Sequence, residues 1–450
     1  QANTTGARNV GIGTGALAAN TTASNNTAVG YQALYSTTTI GNNTALGHQA
    51  GYSNTTGGES LFVGYRAGYT QTTAAGNTAI GYTALFSNTG NNNTAVGNNA
   101  LNSNTTGVGN TAVGAGISGV DVGALSLNTT GSYNSAFGQQ ALRSNTTGSY
   151  NTGIGVNALN SNTTANSNTA VGYQSLLNNT TANNTAVGYQ AGYSNTTGTS
   201  STAFGWISLY SNTTGENLVA LGAGALYANT TGNTNVAVGV SALASNTTAS
   251  NNTAVGYQAG YANTTGTQSI LIGYQAGDTT VTTGSYNILI GGNTELGGAG
   301  QENEIVIGYA VTGKGSATAY INANGGGTYN GANTTTWATT SDRRIKKNIV
   351  DNNEGLEKIT AIQVRNFEYR LPEEVDAELN PTDAVVKPGV QLGVIAQELQ
   401  AVLPACVTQE SSGVLSVNTD PLIWLLVNSV QQLKSELDSV KAELATMKGN

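Results

Sequence analysis

Asn184-Thr-Ala-Val-Gly-Tyr-Gln-Ala-Gly-Tyr-Ser-Asn-Thr-Thr-Gly198 is the stretch whose reading decides the fold. Thr185 and Val187 flank Ala186 with the two-residue alternation of a strand. Gly188 follows, where a tight corner or a close backbone approach suits a residue without Cβ. Asn195, further along, belongs in a turn, because Asn tolerates positive φ and bonds its own backbone. The apolar-Gly step recurs at Gly13, Gly30, Gly47, Gly64, Gly81, Gly97 and Gly114, then from Gly138 and Gly155 onward to Gly291 and Gly308. The interval is 17 residues, occasionally 16 or 18, with one gap of 24 between Gly114 and Gly138. A small residue stands three places after the Gly (Ala33, Ala50, Ala84, Ala191, Ala242), and Leu or Gly comes next (Leu34, Gly51, Leu85, Gly192, Leu243).

A unit of this length with two short strands cannot bury a face alone, whereas stacked copies can. The pattern therefore predicts a β-solenoid over residues 1–308, about 18 rungs and on the order of 85 Å long at ~4.8 Å per rung. One such coil reads as too thin to enclose a large core, and three coils packed around one axis would supply one. The Asn-Thr-Ala-Val-Gly-Tyr-Gln-Ala pattern resembles the head repeats of trimeric autotransporter adhesins. That resemblance implies a trimeric, left-handed parallel β-roll, here with a somewhat longer repeat and longer outward loops.

Composition excludes several functions. The net charge is −8 with no basic patch, so no nucleic-acid partner is expected. The single cysteine, Cys406, rules out a disulfide within the chain. No run of 18 apolar residues exists, so no membrane insertion is expected. Before residue 301 the charged side chains are Arg8, Glu59, Arg66, Asp121, Arg143, Glu216, Asp278 and Glu295, too sparse for acid–base chemistry on an external substrate. No cofactor and no metal site are expected. Gly114-Ala-Gly116-Ile-Ser-Gly119 matches a dinucleotide fingerprint only by coincidence, since no βαβ context surrounds it.

The Asn-Thr-Thr tripeptides at Asn54, Asn195, Asn212, Asn229, Asn246 and Asn263 are formal glycosylation acceptors. They also read as turn residues that satisfy one another in a ladder. The recurring Tyr residues (Tyr31, Tyr65, Tyr82, Tyr173, Tyr189, Tyr257, Tyr274) read as a packed column or as aromatic platforms for a carbohydrate.

The repeat stops near Tyr309, and residues 309–340 read as a neck, with turns and strands around Gly325 and Trp337. Charge then rises abruptly at Asp342, Arg343, Arg344, Lys346 and Lys347, marking a boundary before a tail of 341–450. In the tail, 355–362 suits a short helix, while 364–369, 391–395 and 414–417 suit strands, and a helix over 396–399 stops by Pro404. Pro421 opens a long helix over 421–448. Its apolar residues, Ile423, Leu426, Val430, Leu433, Leu437, Val440, Leu444 and Met447, alternate steps of three and four, a coiled-coil seam. Glu436 and Glu443 at g, with Lys441 and Lys448 at the following e, favour parallel chains in register. The fold expected is thus mainly β, a trimeric parallel β-roll or β-solenoid rod followed by a small α+β domain ending in a parallel coiled-coil helix.

Ser341-Asp342-Arg343-Arg344-Ile345-Lys346, then Gly393-Val394-Ile395-Ala396-Gln397-Glu398, Pro404 and the terminal coiled coil resemble the intramolecular chaperone domain of endosialidases and phage tail fibres. The resemblance spans about 337–447 and implies a self-cleaving serine–lysine peptidase. It casts Ser341 as nucleophile, Lys346 as base and the bond between Thr340 and Ser341 as the one cut, with Asp342, Arg344 and Glu398 in support. The tail has no His, so a triad is impossible, and a Lys serves as base when burial and nearby cations depress its pKa. Catalysis is then at most one self-processing turnover, with no activity on an external substrate.

The leading reading is a homotrimeric extracellular or virion fibre, structural or adhesive, whose tail drives trimerisation and folding. The alternative is a phage-type receptor-binding tail fibre that recognises surface glycans. Partners are accordingly two further copies, with cell-surface carbohydrate or other fibre subunits as the further candidates. A chain beginning at Gln1 fits removal of a leader or a fragment, and inclines the reading toward a secreted fibre.

Overall fold

The computed structural model describes residues 3–116, 122–322, 328–330, 338–339, 343, 346–375, 387–409 and 413–448. Internal contacts divide the chain into two compact units, Gln1–Thr340 and Ser341–Asn450.

Each repeat of the first unit contributes one three-residue strand. β1 (Val10–Ile12) pairs in parallel with β2 (Thr27–Val29), β2 with β3 (Thr44–Leu46), and the pattern continues through β17 (Ile288–Ile290) to β18 (Ile305–Gly308). The register advances by one repeat per coil: Thr185 faces Thr202 and Ala186 faces Ala203. The unit is a parallel β-solenoid of about 18 turns, one coil for each repeat of the sequence.

Two strands per repeat were expected and one is found. The rest of the coil is turn, because residues such as Gln32 (φ 54°) and Leu34 (φ 47°) take the left-handed conformation and end extended backbone. Hydrogen bonding between coils persists there nonetheless. The Leu34 amide donates to the Ala50 carbonyl at 3.0 Å and the Ser36 amide to Tyr52 at 3.1 Å. A Leu at positive φ costs roughly 1–2 kcal/mol. Full burial of its side chain offsets that by about 1.5–3 kcal/mol. Gly is required at the strand exit: Gly188 has φ 138°, and a Cβ there would lie 2.4 Å from the Gly205 carbonyl oxygen.

A single coil also closes a narrow core of its own. Strand-centre Ala28, turn residues Ala33 and Leu34, and two rows of Asn are all buried. Small side chains make this work, since the coil is narrow. Where the strand centre is large, the turn shrinks. Phe62 is fully buried, and Gly51 and Gly68 stand beside it where neighbouring coils carry Leu34 and Leu85. A Cβ at Gly68 would lie 2.3 Å from the Phe62 ring.

The 17-residue beat ends at β18, which pairs in parallel with β19 (Ala319–Asn322), Ile305 facing Ala319. Two antiparallel additions follow, β20 (Thr328–Asn330) and β21 (Ala338–Thr339). Gly325 and Trp337, read as parts of the neck, lie outside the described residues. Glu304 takes the place in the coil that Asn287 holds one turn earlier, and it is fully buried. Its carboxylate accepts hydrogen bonds from the amides of Gly297 (3.0 Å) and Gly315 (2.7 Å), tying both loops to the last full coil.

The second unit contains α1 (Leu356–Ala361), β22 (Arg365–Phe367) antiparallel to β23 (Gln391–Gly393), α2 (Ala396–Val402), β24 (Val407–Gln409) antiparallel to β25 (Leu415–Val417), and α3 (Asp420–Lys448). Leu399, Leu403, Cys406 and Leu425 form its small core, with Ile359, Val394 and Val417 packed around them. β24 was not anticipated: Val407-Thr-Gln is short and becomes a strand by pairing with β25. The chain is mainly β, and no helix among the described residues is long and apolar enough to cross a membrane.

Candidate functional site

Of the residues expected to perform self-cleavage, Thr340, Ser341, Asp342 and Arg344 lie outside the described residues. Lys346 is described and exposed, with its amide donating to the Arg343 carbonyl at 3.2 Å. Glu398 stands in the first turn of α2, where the helix N-terminus favours an acidic side chain. Arg365 of β22 grips it in two parallel hydrogen bonds, Nε to Oε2 at 3.1 Å and Nη2 to Oε1 at 3.0 Å. The hydrogen bond to Glu398, and then its charge, raise the Arg365 pKa further. The fork geometry fixes α2 against the β22–β23 pair.

The chain leaving Lys346 runs to α1 along α3. Asn428 and Gln432 sit one turn apart on α3 and hold the backbone of that segment. Asn428 Nδ2 donates to the carbonyls of Asn352 (2.9 Å) and Glu354 (2.8 Å). Gln432 Nε2 donates to the Asn353 carbonyl at 2.9 Å, and its Oε1 accepts from the Leu356 amide at 2.7 Å. Gly355 makes this approach feasible, since a Cβ there would lie 3.0 Å from the Ser429 nitrogen and 2.9 Å from Gln432 Oε1. The same segment lines a groove of about 830 Å³ together with Leu403, Cys406, Trp424 and Leu425. Burial raises the Cys406 thiol pKa, which keeps the thiol protonated. None of these α3 contacts was read from the sequence, where Asn428 and Gln432 look like ordinary polar positions beside a heptad seam.

In the solenoid, Asn54, Asn195, Asn212, Asn229, Asn246 and Asn263 all face the interior and are at most 3% exposed. Each donates through Nδ2 to the carbonyl three residues on, as Asn212 does to Gly215 at 3.0 Å. From Asn195 to Asn263 each Nδ2 also donates to the Asn Oδ1 of the preceding coil, 2.8 Å for Asn212 to Asn195. Both protons of the amide nitrogen are thereby used. A glycan on Nδ2 would have to sit inside the closed coil, so attachment requires the coil to be open. The ladder ends where the sequence changes: Asn263 Oδ1 has no partner, and the next coil places Val281 at that position.

The aromatic residues form columns along the coils. Tyr31, His48, Tyr65 and Tyr82 stack at 5.0–5.2 Å, as do Tyr35, Tyr52, Tyr69 and Phe86 at 5.2 Å. Tyr173 with Tyr189 and Tyr257 with Tyr274 continue the theme. Near-parallel rings at this spacing cover one another's faces, leaving edges and hydroxyls outward. Arg66 lies over Tyr65 and Tyr69 and donates through Nε to Gln49 Oε1 at 3.0 Å.

One carboxylate pair escaped notice because its members are 17 residues apart in a chain with few charges. Asp278 and Glu295 share a hydrogen bond beside the solenoid's end. Glu295 also accepts from the amides of Thr279 (3.1 Å) and Thr280 (3.0 Å) and from both hydroxyls. Burial first, then the hydrogen bond and charge of Glu295, push the Asp278 pKa to about 6. For Glu295 burial alone would raise the pKa, but the hydrogen bonds from Asp278, Thr280 and Thr279 together hold it below the ordinary value. Among the described residues no group of three or more His, Cys, Asp or Glu side chains is placed to hold a metal ion.

Comparison with curated proteins and with solved structures returned no match. Residues 341–408, which carry the Ser341–Lys346 stretch, the Arg365–Glu398 pair and α2, match the family model described as chaperone of endosialidase.

Proposed function

We propose that the chain is one strand of a homotrimeric extracellular or virion fibre, and that its C-terminal unit aligns three chains and then cuts itself between Thr340 and Ser341. The observation that carries this reading is the face of α3, the helix that follows the region matched by the chaperone family. Val430, Leu433, Leu437, Val440, Leu444 and Met447 are all exposed in the single chain, Leu437 at 50%. A heptad seam left open over this length is stabilised by other copies of itself. The solenoid supports the same reading. The third residue of each strand points outward, and Leu46, Phe137, Ile154, Phe204 and Ile290 leave an apolar row on one sheet face. Three parallel coils would cover that row.

In this reading the Ser341 hydroxyl oxygen adds to the Thr340 carbonyl carbon while Lys346, acting as base, takes its proton. The proton passes to the Ser341 nitrogen as the peptide bond breaks, leaving an ester. Water then hydrolyses the ester to a Thr340 carboxylate and a free Ser341 hydroxyl and amine. Lys346 is exposed in the single chain, so the shielding that a lysine base requires would come from assembly. The purpose is kinetic. Near-identical coils can pair one repeat out of register at little cost. A tail that clamps three ends lets the rods zip in phase, and its removal leaves a fibre that unfolds slowly.

The alternative, a tail fibre that recognises surface glycans, would use the aromatic columns. Their stacked rings offer edges rather than faces to a sugar, so the first reading is preferred.

The test is the denatured intact mass of freshly expressed full chain beside Ser341→Ala, with light scattering of the native samples. Two fragments joining at Thr340–Ser341 in the wild type, one piece in the variant and a trimeric mass in both are expected. Leu437→Asp should lower the native mass toward a monomer. A wild type that stays whole sinks the self-cleavage part, and a monomeric wild type sinks the fibre.

A further inference from the structure

We propose that the exposed tyrosine stacks of the solenoid are a modification site, at which a peroxide-driven one-electron oxidant joins the rings of adjacent coils as dityrosine. The solenoid alone carries this chemistry, whether or not the tail is cut.

Three pairs carry the geometry. Tyr65 stacks on Tyr82 with ring centroids 5.1 Å apart, Tyr173 on Tyr189 at 5.4 Å and Tyr257 on Tyr274 at 5.3 Å, with interplanar angles of 10°, 13° and 14°. All six rings are exposed. In each stack the carbons ortho to one hydroxyl lie about one ring spacing from those of the next ring, and exposed side chains reorient within nanoseconds. Composition removes the competing groups. Residues 1–308 hold no Cys, no Met and no Lys. Neither a disulfide nor an amine-based link can therefore form within the solenoid, and no sulfur there intercepts an oxidant. Cys406 is buried and Met447 lies near the end of α3.

The step balances with one hydrogen peroxide per bridge. Each phenol gives up its hydroxyl proton and one electron, and the two phenoxyl radicals join through a bond between ortho carbons. The ortho hydrogens then move to the oxygens, which restores both aromatic rings. The two protons and two electrons reduce the peroxide to two molecules of water. Rings already held together react ahead of rings on separate chains, because positioning raises effective concentration by orders of magnitude. Each bridge closes a loop of one coil and constrains the unfolded chain as a disulfide of equal span would. Coils that otherwise meet only through nearest-neighbour interfaces are thereby stapled, and the rod hardens where peroxide is present.

The experiment treats the full chain with hydrogen peroxide and a haem peroxidase, and reads denatured intact mass, dityrosine fluorescence and a peptide map. Each bridge removes two hydrogens, whereas oxidation of Met447 adds an oxygen, so mass separates the two. Bridges joining Tyr65 to Tyr82, Tyr173 to Tyr189 and Tyr257 to Tyr274 within one chain are expected, with amide exchange in the bridged coils slowed about tenfold. Tyr309 is 75% exposed and belongs to none of these stacks, so it should stay out of the bridges. Tyr274→Phe keeps a ring in the stack, as Phe86 does beside Tyr69, and should lose that one bridge. His48 stands between Tyr31 and Tyr65 at 5.0 and 5.2 Å, so His48→Tyr should add a bridge in that column. In urea the links should scatter over the tyrosines of the chain. Bridges that form mainly between chains or through Tyr309 would overturn the proposal. So would a pattern unchanged in urea, an unchanged bridge count in Tyr274→Phe, or tyrosines oxidised without paired loss of hydrogen.

Discussion

At the scale of single residues, the coil is a problem of volume and of amide hydrogen bonds. Phe62 occupies the space that Leu fills elsewhere, and Gly51 and Gly68 are the consequence. Gly68→Leu should therefore overpack the core and destabilise locally by about 1–3 kcal/mol. Phe62→Ala should cost about 3–5 kcal/mol through the cavity it leaves. Combining the two should recover much of the loss, and a double-mutant cycle on denaturant midpoints would reveal additivity if the pairing were false. Asn212 stands mid-ladder, between Asn195 and Asn229. Asn212→Ala leaves buried partners unsatisfied, at about 1–3 kcal/mol for each such group. Faster amide exchange in the neighbouring coils is the expected signature. Leu-or-Gly at the turn was visible in the sequence; that one ring, Phe62, demands the Gly both in its own coil (Gly68) and in the preceding coil (Gly51) was not.

At the scale of elements, the end of the solenoid carries a titration. Asp278 holds its proton up to about pH 6, against an ordinary value of 3.8, so the folded state binds that proton more tightly than the unfolded chain. Its contribution is fully present below the ordinary value and is lost as pH rises through about 6. Glu295 works the other way, contributing above its ordinary 4.5 and losing that as pH falls through its lowered value. The last coils should be firmest between the two and loosen above pH 6. Amide exchange over 269–296, corrected for intrinsic rates, should show this in wild type. Asp278→Asn, which keeps a donor but cannot titrate there, should flatten the profile between pH 5 and 7.5; an unchanged slope would place the titration elsewhere. The α3 helix shows the converse case. Its seam was legible as a heptad, whereas its second face, the one that grips Asn352–Leu356, depends on where α1 docks.

At the scale of the molecule, the solenoid is a stack of nearest-neighbour interfaces. Removing 206–222 deletes one repeat and joins Gly205 to Ala223 at an equivalent point of the coil, as the facing of Thr202 with Val219 requires. The shortened chain should keep its circular dichroism and melt cooperatively. Removing 206–213 instead shifts the ladder out of phase and should abolish the transition. If both deletions behave alike, stacking register is not what holds the unit. Repetition also explains the division of labour between the units. A uniform stack carries no mark of its own beginning, so in the proposed trimer alignment of copies would come from the non-repetitive tail.

The sequence by itself determined the repeat length, the solenoid, the break near residue 340 and the long C-terminal helix with its heptad seam. All of these are periodicities, and each is written in residues close along the chain. Tertiary structure decided what periodicity cannot express. It made each coil one strand and a left-handed turn rather than two strands, because positive φ at Gln32 and Leu34 bends the backbone. It placed the formal glycosylation asparagines inside, where from Asn195 to Asn263 both protons of each Nδ2 are bonded. It paired Asp278 with Glu295 and drew Asn428 and Gln432 onto a segment more than 70 residues earlier in the chain. The physical reason is common to these cases: a hydrogen bond forms between groups that folding brings within about 3 Å, and separation along the chain does not encode that approach.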